Sequence, residues 1–205
     1  MEEARRVVRL YDSRFPSGNG YEVRLLLAHL GQAPERVLLD LLKGEPRTPE
    51  FLAKNPNGKI PVVELDDGSF LSESNAILVY LAEGTPFWPE RRLDRARCLQ
   101  WMSFEQYSHE PNIATSRFWY ATGLAEGREA ELAEKHEAGH RALALMEAHL
   151  ARGSFFVAGA PSVADVALYA YTHVADEGRF DLAPYPAVRA WLARVRSLPG
   201  HVPIV

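Results

Sequence analysis

Two short runs carry residue types that could do chemistry together. Asn57-Gly58-Lys59-Ile60-Pro61 leads into the β-branched pair Val62-Val63, and Leu71-Ser72-Glu73-Ser74-Asn75 leads into the apolar stretch 76–82. Proline cannot donate to a sheet ladder, so Pro61 belongs at the first residue of a strand or on an edge. The Ser/Glu/Ser/Asn cluster offers side-chain acceptors to the free N–H groups that open a helix, and those N–H groups can also bind an anion. An X-Pro bond and an anion-binding helix start, one strand apart, suit a site that grips a small peptide by its backbone and its carboxylate.

A third run, Ser17-Gly18-Asn19-Gly20, closes a loop over residues 12–20 that enters a helix. Donors in that loop sit at the positive end of the helix. Ser13 and Ser17 can each donate one hydroxyl hydrogen bond and Asn19 can donate through its amide; a plain turn and helix cap is the alternative. His136-Glu137-Ala138-Gly139-His140 fits the H-E-x-x-H pattern, in which two histidines share a helix face to hold zinc and the glutamate is the base. The zinc-hydrolase reading competes with a solvated helix face in a Glu/Ala/His-rich stretch. No third ligand is evident downstream, so no metal is expected. Cys98, the only cysteine, reads as core. Tyr107, His109, Arg117, Phe118, Trp119 and Tyr120 form an aromatic and cationic stretch that could partly line an apolar pocket.

The elements that must position these residues follow from period and punctuation. Residues 7–11 read as a short strand. Val23, Leu26, Leu27 and Leu30 recur at helical spacing over 21–30, with Gly31 as a suitable residue past the end. A second strand covers 36–41, a polar loop 43–49 and a short helical piece 49–53. Residues 61–65 and 69–71 are strands joined by the turn Asp66-Asp67-Gly68, and a helix over 74–83 closes the unit. This is β-α-β followed by β-β-α, the thioredoxin-like order. The run Gly84–Pro89 is a linker. Beyond it only helical patterns occur: 91–119 as one long helix or two, bent near Pro111, then 126–152, and a last helix over 186–197. Ser162 opens another helix, with Ser162 and Asp165 forming a capping box in which Asp replaces the usual Glu. The expected domains are residues 1–84, α/β and thioredoxin-like, and residues 90–205, all helical.

With 205 residues, 47% of them hydrophobic, the chain can build a real core. A net charge of −4 gives no electrostatic case for nucleic acid or for an anionic membrane. The start, Met1 to Arg6, lacks an apolar signal region, and no apolar stretch is long enough to span a bilayer. A single cysteine allows no internal disulfide and makes a reducing cytoplasm the expected location.

Asn-Gly-Lys-Ile-Pro followed by Glu-Ser-Asn-Ala-Ile at this spacing resembles the glutathione site of the cytosolic glutathione transferases. The resemblance runs over nearly the whole chain. It implies a cis bond between Ile60 and Pro61, an Ile60 backbone that pairs with the cysteinyl part of glutathione, and a Glu73-Ser74 pair that holds the γ-glutamyl end. Ser17-Gly18-Asn19-Gly20 is similar to the Thr-x-Asn-Gly segment of the bacterial branch resembling glutathione-dependent disulfide-bond oxidoreductases, with Ser for Thr. That likeness favours Ser17 and Asn19 as thiolate donors over Ser13. Some classes use a tyrosine near the end of the first strand; Tyr11 lies slightly early and is expected to pack. No cysteine lies in the loop to form a mixed disulfide. Lys43, Arg47 and Lys59 are available for the glycine carboxylate, while Pro46 departs from the polar residue common in relatives. Arg117 is the candidate from the second domain to reach glutathione or a second ligand. The resemblance implies an enzyme that presents the glutathione thiolate to an electrophile, or uses it to reduce a disulfide or peroxide. Glutathione is its substrate, with no other cofactor, and it is expected to be a homodimer. A transferase-like fold kept as a non-catalytic interaction module is the alternative.

Overall fold

The structure, a computed structural model, describes residues 6–204; Met1–Arg5 and Val205, with the reading of the chain start, lie outside it. The chain divides into two compact units, Met1–Gly84 with Pro199–Val205, and Thr85–Leu198.

The first unit runs β1 (Val7–Ser13), α1 (Gly18–His29), β2 (Glu35–Leu39), a 3-10 turn (Glu45–Arg47), α2 (Pro49–Leu52), β3 (Val62–Leu65), β4 (Phe70–Ser72) and α3 (Ser74–Ala82). The sheet order is β2-β1-β3-β4. β1 and β2 are parallel, as a helical crossover requires, and β3 is antiparallel to both β1 and β4. This is the thioredoxin-like arrangement. α1 buries Tyr21, Val23 and Leu25 through Leu27 and packs with α3. Tyr11 joins an apolar cluster with Phe51 and Val62. Its ring meets Phe51 edge-on at 5.9 Å and its hydroxyl donates to Glu64 Oε2 at 2.9 Å, so Tyr11 packs as its position on β1 suggests.

Two boundaries differ from the sequence reading in ways that matter for the site. α1 begins at Gly18, so Asn19 and Gly20 belong to its first turn and only residues 14–17 remain as loop. The last residues, read above with the helical part, fold against α1: Tyr21 Oη donates to the Val202 carbonyl at 2.8 Å, and His29 Nδ1 meets the Pro199 carbonyl at 2.6 Å.

The second unit is helical: α4 (Arg92–Phe104), a π-turn (Glu105–His109), α5 (Glu110–Thr122), α6 (Glu129–Leu150), α7 (Val163–Thr172), a 3-10 turn (Ala175–Gly178) and α8 (Pro186–Arg196). The expected bend near Pro111 takes the form of the π-turn just before it. Proline has no N–H for the regular ladder, and widening the preceding turn absorbs that gap. Every residue of α7 is buried, which makes it the central helix of this unit. The capping box of Ser162 and Asp165 forms in full. The Asp165 carboxylate also accepts from Phe156 N at 3.1 Å and from Trp191 Nε1 at 2.9 Å, tying α7 to the preceding loop and to α8. Among the described residues, no helix is long and apolar enough to cross a membrane.

Candidate active site

Strand register brings the three sequence runs to one end of the sheet. Tyr11 of β1 stands opposite Val62 of β3, and Val62 stands opposite Ser72 of β4. β1 therefore ends, β3 begins and β4 ends at the same edge, with neighbouring strands about 4.8 Å apart. The loop to Ser17 and α1, the Lys59-Ile60-Pro61 approach to β3, and Glu73-Ser74 at the start of α3 all issue from that edge.

Each segment is held there by a local device. Below α1 the buried Asp12 carboxylate accepts from Ser13 N at 2.8 Å and from Arg36 Nη2 at 3.1 Å, with Arg24 Nε at 3.7 Å. A Cβ on Gly20 would lie 1.8 Å from Asp12 Oδ1, so only glycine lets the first turn of α1 settle on this carboxylate. In the approach to β3, the buried Asn55 donates from Nδ2 to the Lys59 carbonyl at 2.8 Å and accepts the Asn57 N–H on Oδ1 at 3.1 Å. Arg47 Nη1 donates to the Asn57 carbonyl at 3.1 Å. The Ile60–Pro61 bond is cis. Among the described residues, neither the amide nor the carbonyl of Ile60 makes a hydrogen bond. At α3, Glu73 is the N-cap with φ 66° and ψ 110°, a left-handed backbone that a side chain rarely adopts.

Three polar side chains at this edge are uncommitted. Ser17 is the N-cap of α1 with extended backbone, yet its side chain makes no capping bond, and neither does Glu73 at α3. Among the described residues, the hydroxyls of Ser17 and Ser74 and the carboxylate of Glu73 have no hydrogen-bond or ion-pair partner. A helix opens with N–H groups that have no intrahelical acceptor, and neither helix has an acidic residue in its first turn to occupy them. The edge thus offers two helix N-termini, two hydroxyls, one carboxylate and one free peptide unit. That set can hold a compound carrying an amine, a carboxylate, an amide and a thiolate.

Other candidates fall elsewhere. Ser13 Oγ accepts the Phe15 amide at 3.1 Å. Lys59 is exposed beside the cis bond, and Lys43 Nζ lies 3.6 Å from Asp40. Arg117 is in the second unit, buried, with Nε on Glu177 Oε2 at 2.7 Å. Its guanidinium is drawn to a neighbour in its own unit, an arrangement its sequence position does not disclose. In the H-E-x-x-H run, His136 Nε2 donates to the Gly178 carbonyl at 3.0 Å and His140 Nδ1 meets Tyr185 Oη at 2.9 Å. Both rings flank Phe180, and a Cβ on Gly139 would come within 2.4 Å of that ring. The motif's spacing is therefore explained by packing around Phe180. Among the described residues, no group of three or more His, Cys, Asp or Glu side chains is placed to hold a metal ion. Asp12 and Asn55 support the site and are not singled out in the sequence; Gly20 appears there only as the last residue of the Ser-x-Asn-Gly run, without its packing role. Only the turn-like spacing of Asn55 before Asn57-Gly58 hints at one of them.

A thioredoxin-like domain with a cis-Pro loop and an open α3 start, joined to an all-helical domain, defines the glutathione-transferase class of protein. Comparisons with known proteins agree. Residues 6–83 match the glutathione S-transferase N-terminal domain, and residues 129–194 match its C-terminal domain. The chain is 31% identical to the disulfide-bond oxidoreductase YfcG of Escherichia coli, over 90% of this chain and 89% of that protein. It is 34% identical to a maleylacetoacetate isomerase of Rhizobium meliloti, over 88% and 87%. A glutathione S-transferase structure from Pseudomonas fluorescens superposes with a TM-score of 0.93 at 51% identity, over 96% of this chain and 98% of that one. The chain belongs to the glutathione S-transferase family and is a glutathione transferase.

Proposed function

We propose that this enzyme binds glutathione at the β1–β3–β4 edge and uses its thiolate to reduce small disulfides. The observation that carries this reading is the uncommitted polar set there: Ser17, Ser74, Glu73 and the Ile60 peptide unit. Ser74 and the first N–H groups of α3 take the γ-glutamyl carboxylate, and Glu73 meets its amine. The Ile60 amide and carbonyl pair with the cysteinyl backbone, and Lys59, exposed beside the cis bond, takes the glycine carboxylate. Ser17 Oγ and the Asn19 amide donate to sulfur at the N-terminus of α1. Hydrogen bonds and a positive helix end both favour the anion, so the bound thiol ionises below its ordinary pKa of about 8.5.

The thiolate attacks one sulfur of a disulfide, forms a mixed disulfide and expels the other sulfur as a thiolate. A second glutathione thiolate attacks the glutathionyl sulfur, releasing the remaining thiol and oxidised glutathione. Two glutathiones are oxidised and one disulfide is reduced. Disulfide reduction is favoured over conjugation by the overall likeness to YfcG and by the Ser-x-Asn-Gly segment at α1. The chain also lacks a cysteine in residues 12–20 that could trap the intermediate. A homodimer in the cytoplasm fits the family.

The experiment compares two reactions on the same preparation. Oxidation of glutathione by 2-hydroxyethyl disulfide should exceed conjugation to 1-chloro-2,4-dinitrobenzene. Robust conjugation with no disulfide reduction would move the assignment to carbon electrophiles. Failure to bind glutathione at all would favour the interaction-module alternative.

A further inference from the structure

A cleft of about 510 Å³ opens in the second unit between α7, the 3-10 turn that follows it and α8. That volume lies within the range of small-molecule sites. Leu182 and Leu192 give it an apolar floor. One wall is Tyr169 with His173 stacked on it, the rings 4.6 Å apart and 2° from parallel. His173 Nδ1 also meets the Tyr169 carbonyl at 2.8 Å, which fixes the ring in the wall.

Arg189 and Arg196 both line the cleft. Seven residues are nearly two turns of α8, so they share a face and stand about 10 Å apart along its axis. Among the described residues, neither guanidinium makes a hydrogen bond or an ion pair. Nearby arginines are engaged: Arg117 with Glu177, Arg194 Nε with the Ser154 carbonyl at 3.0 Å, and Arg179 over the Tyr120 ring at 4.0 Å. Asp176 is the one carboxylate in the lining. Two cations against one anion leave room for a single negative charge. The two ends of α8 are not equivalent. Its N-terminal amides at Ala187 and Val188 are already taken by the Glu147 carboxylate at 3.0 and 2.9 Å. At the other end the Ser197 hydroxyl donates to the Arg194 carbonyl at 2.8 Å, and burial raises the Tyr169 phenol while the nearby Arg196 charge opposes that shift.

We propose that this cleft binds a small organic acid with one acidic group and a flat apolar body. The acid pairs with Arg196 beside Ser197. The body lies along Leu192 toward Leu182, against the Tyr169–His173 stack. Guanidinium and carboxylate match as a two-point pair, which a neutral amide cannot reproduce. This inference does not depend on which reaction the glutathione edge performs.

The probe is 4-phenylbutyrate, titrated calorimetrically into the whole protein and compared with the neutral 4-phenylbutanamide. The acid should bind saturably and at least about 10-fold more tightly than the amide, the least a hydrogen bond to a charged group contributes. Arg196→Gln should weaken the acid by about the same factor and leave the amide unchanged. Arg189→Gln should have a smaller effect, and Ser74→Ala in the first unit none. Both arginines are exposed, so matched thermal unfolding of the variants checks that the fold is kept. Equal affinity for acid and amide on the unmodified protein would overturn the proposal, and that comparison needs no variant. So would an unchanged acid affinity in Arg196→Gln, no saturable binding up to about 10 mM, or full displacement by glutathione.

Discussion

The starts of α3 and α7 make an instructive pair. Both are helix N-termini built from capping residue types. At α7, Ser162 and Asp165 satisfy each other and the backbone, all of it buried. At α3, Glu73 holds a left-handed backbone and caps nothing, and the Ser74 hydroxyl is idle. α1 behaves like α3, since Ser17 stands at its N-cap without bonding the helix. Where the capping groups are consumed locally, the residue holds the fold together. Where they are withheld, and the backbone is strained as well, the N–H groups and hydroxyls are left for a ligand. The second unit follows the first rule at α7, and the β1–β3–β4 edge follows the second.

The largest effect should come from breaking the closed cap. Asp165→Ala would strand Phe156 N, Ser162 N and the Trp191 indole N–H, all now within 3.1 Å of its oxygens. Each buried donor left without a partner costs about 1–3 kcal/mol, so unfolding in urea should show a loss on the order of 3–6 kcal/mol. The open cap should behave in the opposite way. Ser74→Ala should leave the urea midpoint nearly unchanged and weaken glutathione binding by about 1.5–3 kcal/mol, read by calorimetry. A large stability loss with unchanged affinity would make Ser74 a structural cap and erase the contrast.

A smaller effect tests burial in the second unit. Glu105 and His109 face each other in the π-turn, both fully buried, with Oε1 and Nδ1 3.9 Å apart. Burial raises the Glu105 carboxyl to about 8, and burial lowers His109 to about 3, so at neutral pH the two are uncharged neighbours and not an ion pair. For Glu105 the folded state keeps a proton that the unfolded chain releases from 4.5 upward, so its contribution is lost as pH rises toward 8. For His109 the unfolded chain takes up a proton below 6.5 that the folded ring refuses, so stability is lost as pH falls toward 3. The slopes oppose each other between 4.5 and 6.5. Above 6.5 only the Glu105 slope remains, and stability should fall by about 2 kcal/mol on the way to pH 8. Glu105→Gln should flatten that fall. A wild-type profile already flat from pH 6.5 to 8 would show that the buried carboxyl ionises freely.

The contrast also explains what could be read from the sequence. The Ser162–Asp165 cap was legible because both partners lie within one turn. The cis-Pro run and the Glu73-Ser74 run were legible because each is contiguous and departs from ordinary strand or helix punctuation. Asp12 was not, since its meaning depends on Arg24, Arg36 and the missing Cβ of Gly20, which only the fold brings to it. The return of residues 199–204 to α1 rests on backbone carbonyls meeting Tyr21, Arg24 and His29, and carbonyls leave no trace in residue type. The Arg117 bond to Glu177 was illegible for the same reason, since an arginine among aromatics does not disclose a carboxylate 60 residues on. The H-E-x-x-H run, read as a solvated helix face, has its two histidines half-buried around Phe180 instead, because helical spacing serves a ring as well as it would serve a metal.

The central claim is that Ser17 and Asn19 at the start of α1 stabilise the glutathione thiolate. Thiolate absorbance of the enzyme–glutathione complex, followed against pH in wild type and in the Ser17→Ala/Asn19→Ala double variant, tests it most directly. The wild-type complex should ionise below the free thiol, and the double variant should shift the curve upward by about one to two pH units, the equivalent of losing one hydrogen bond to a charged acceptor. Coincident curves for the two proteins would contradict the account, leaving Ser13 or the α1 backbone N–H groups to hold the sulfur.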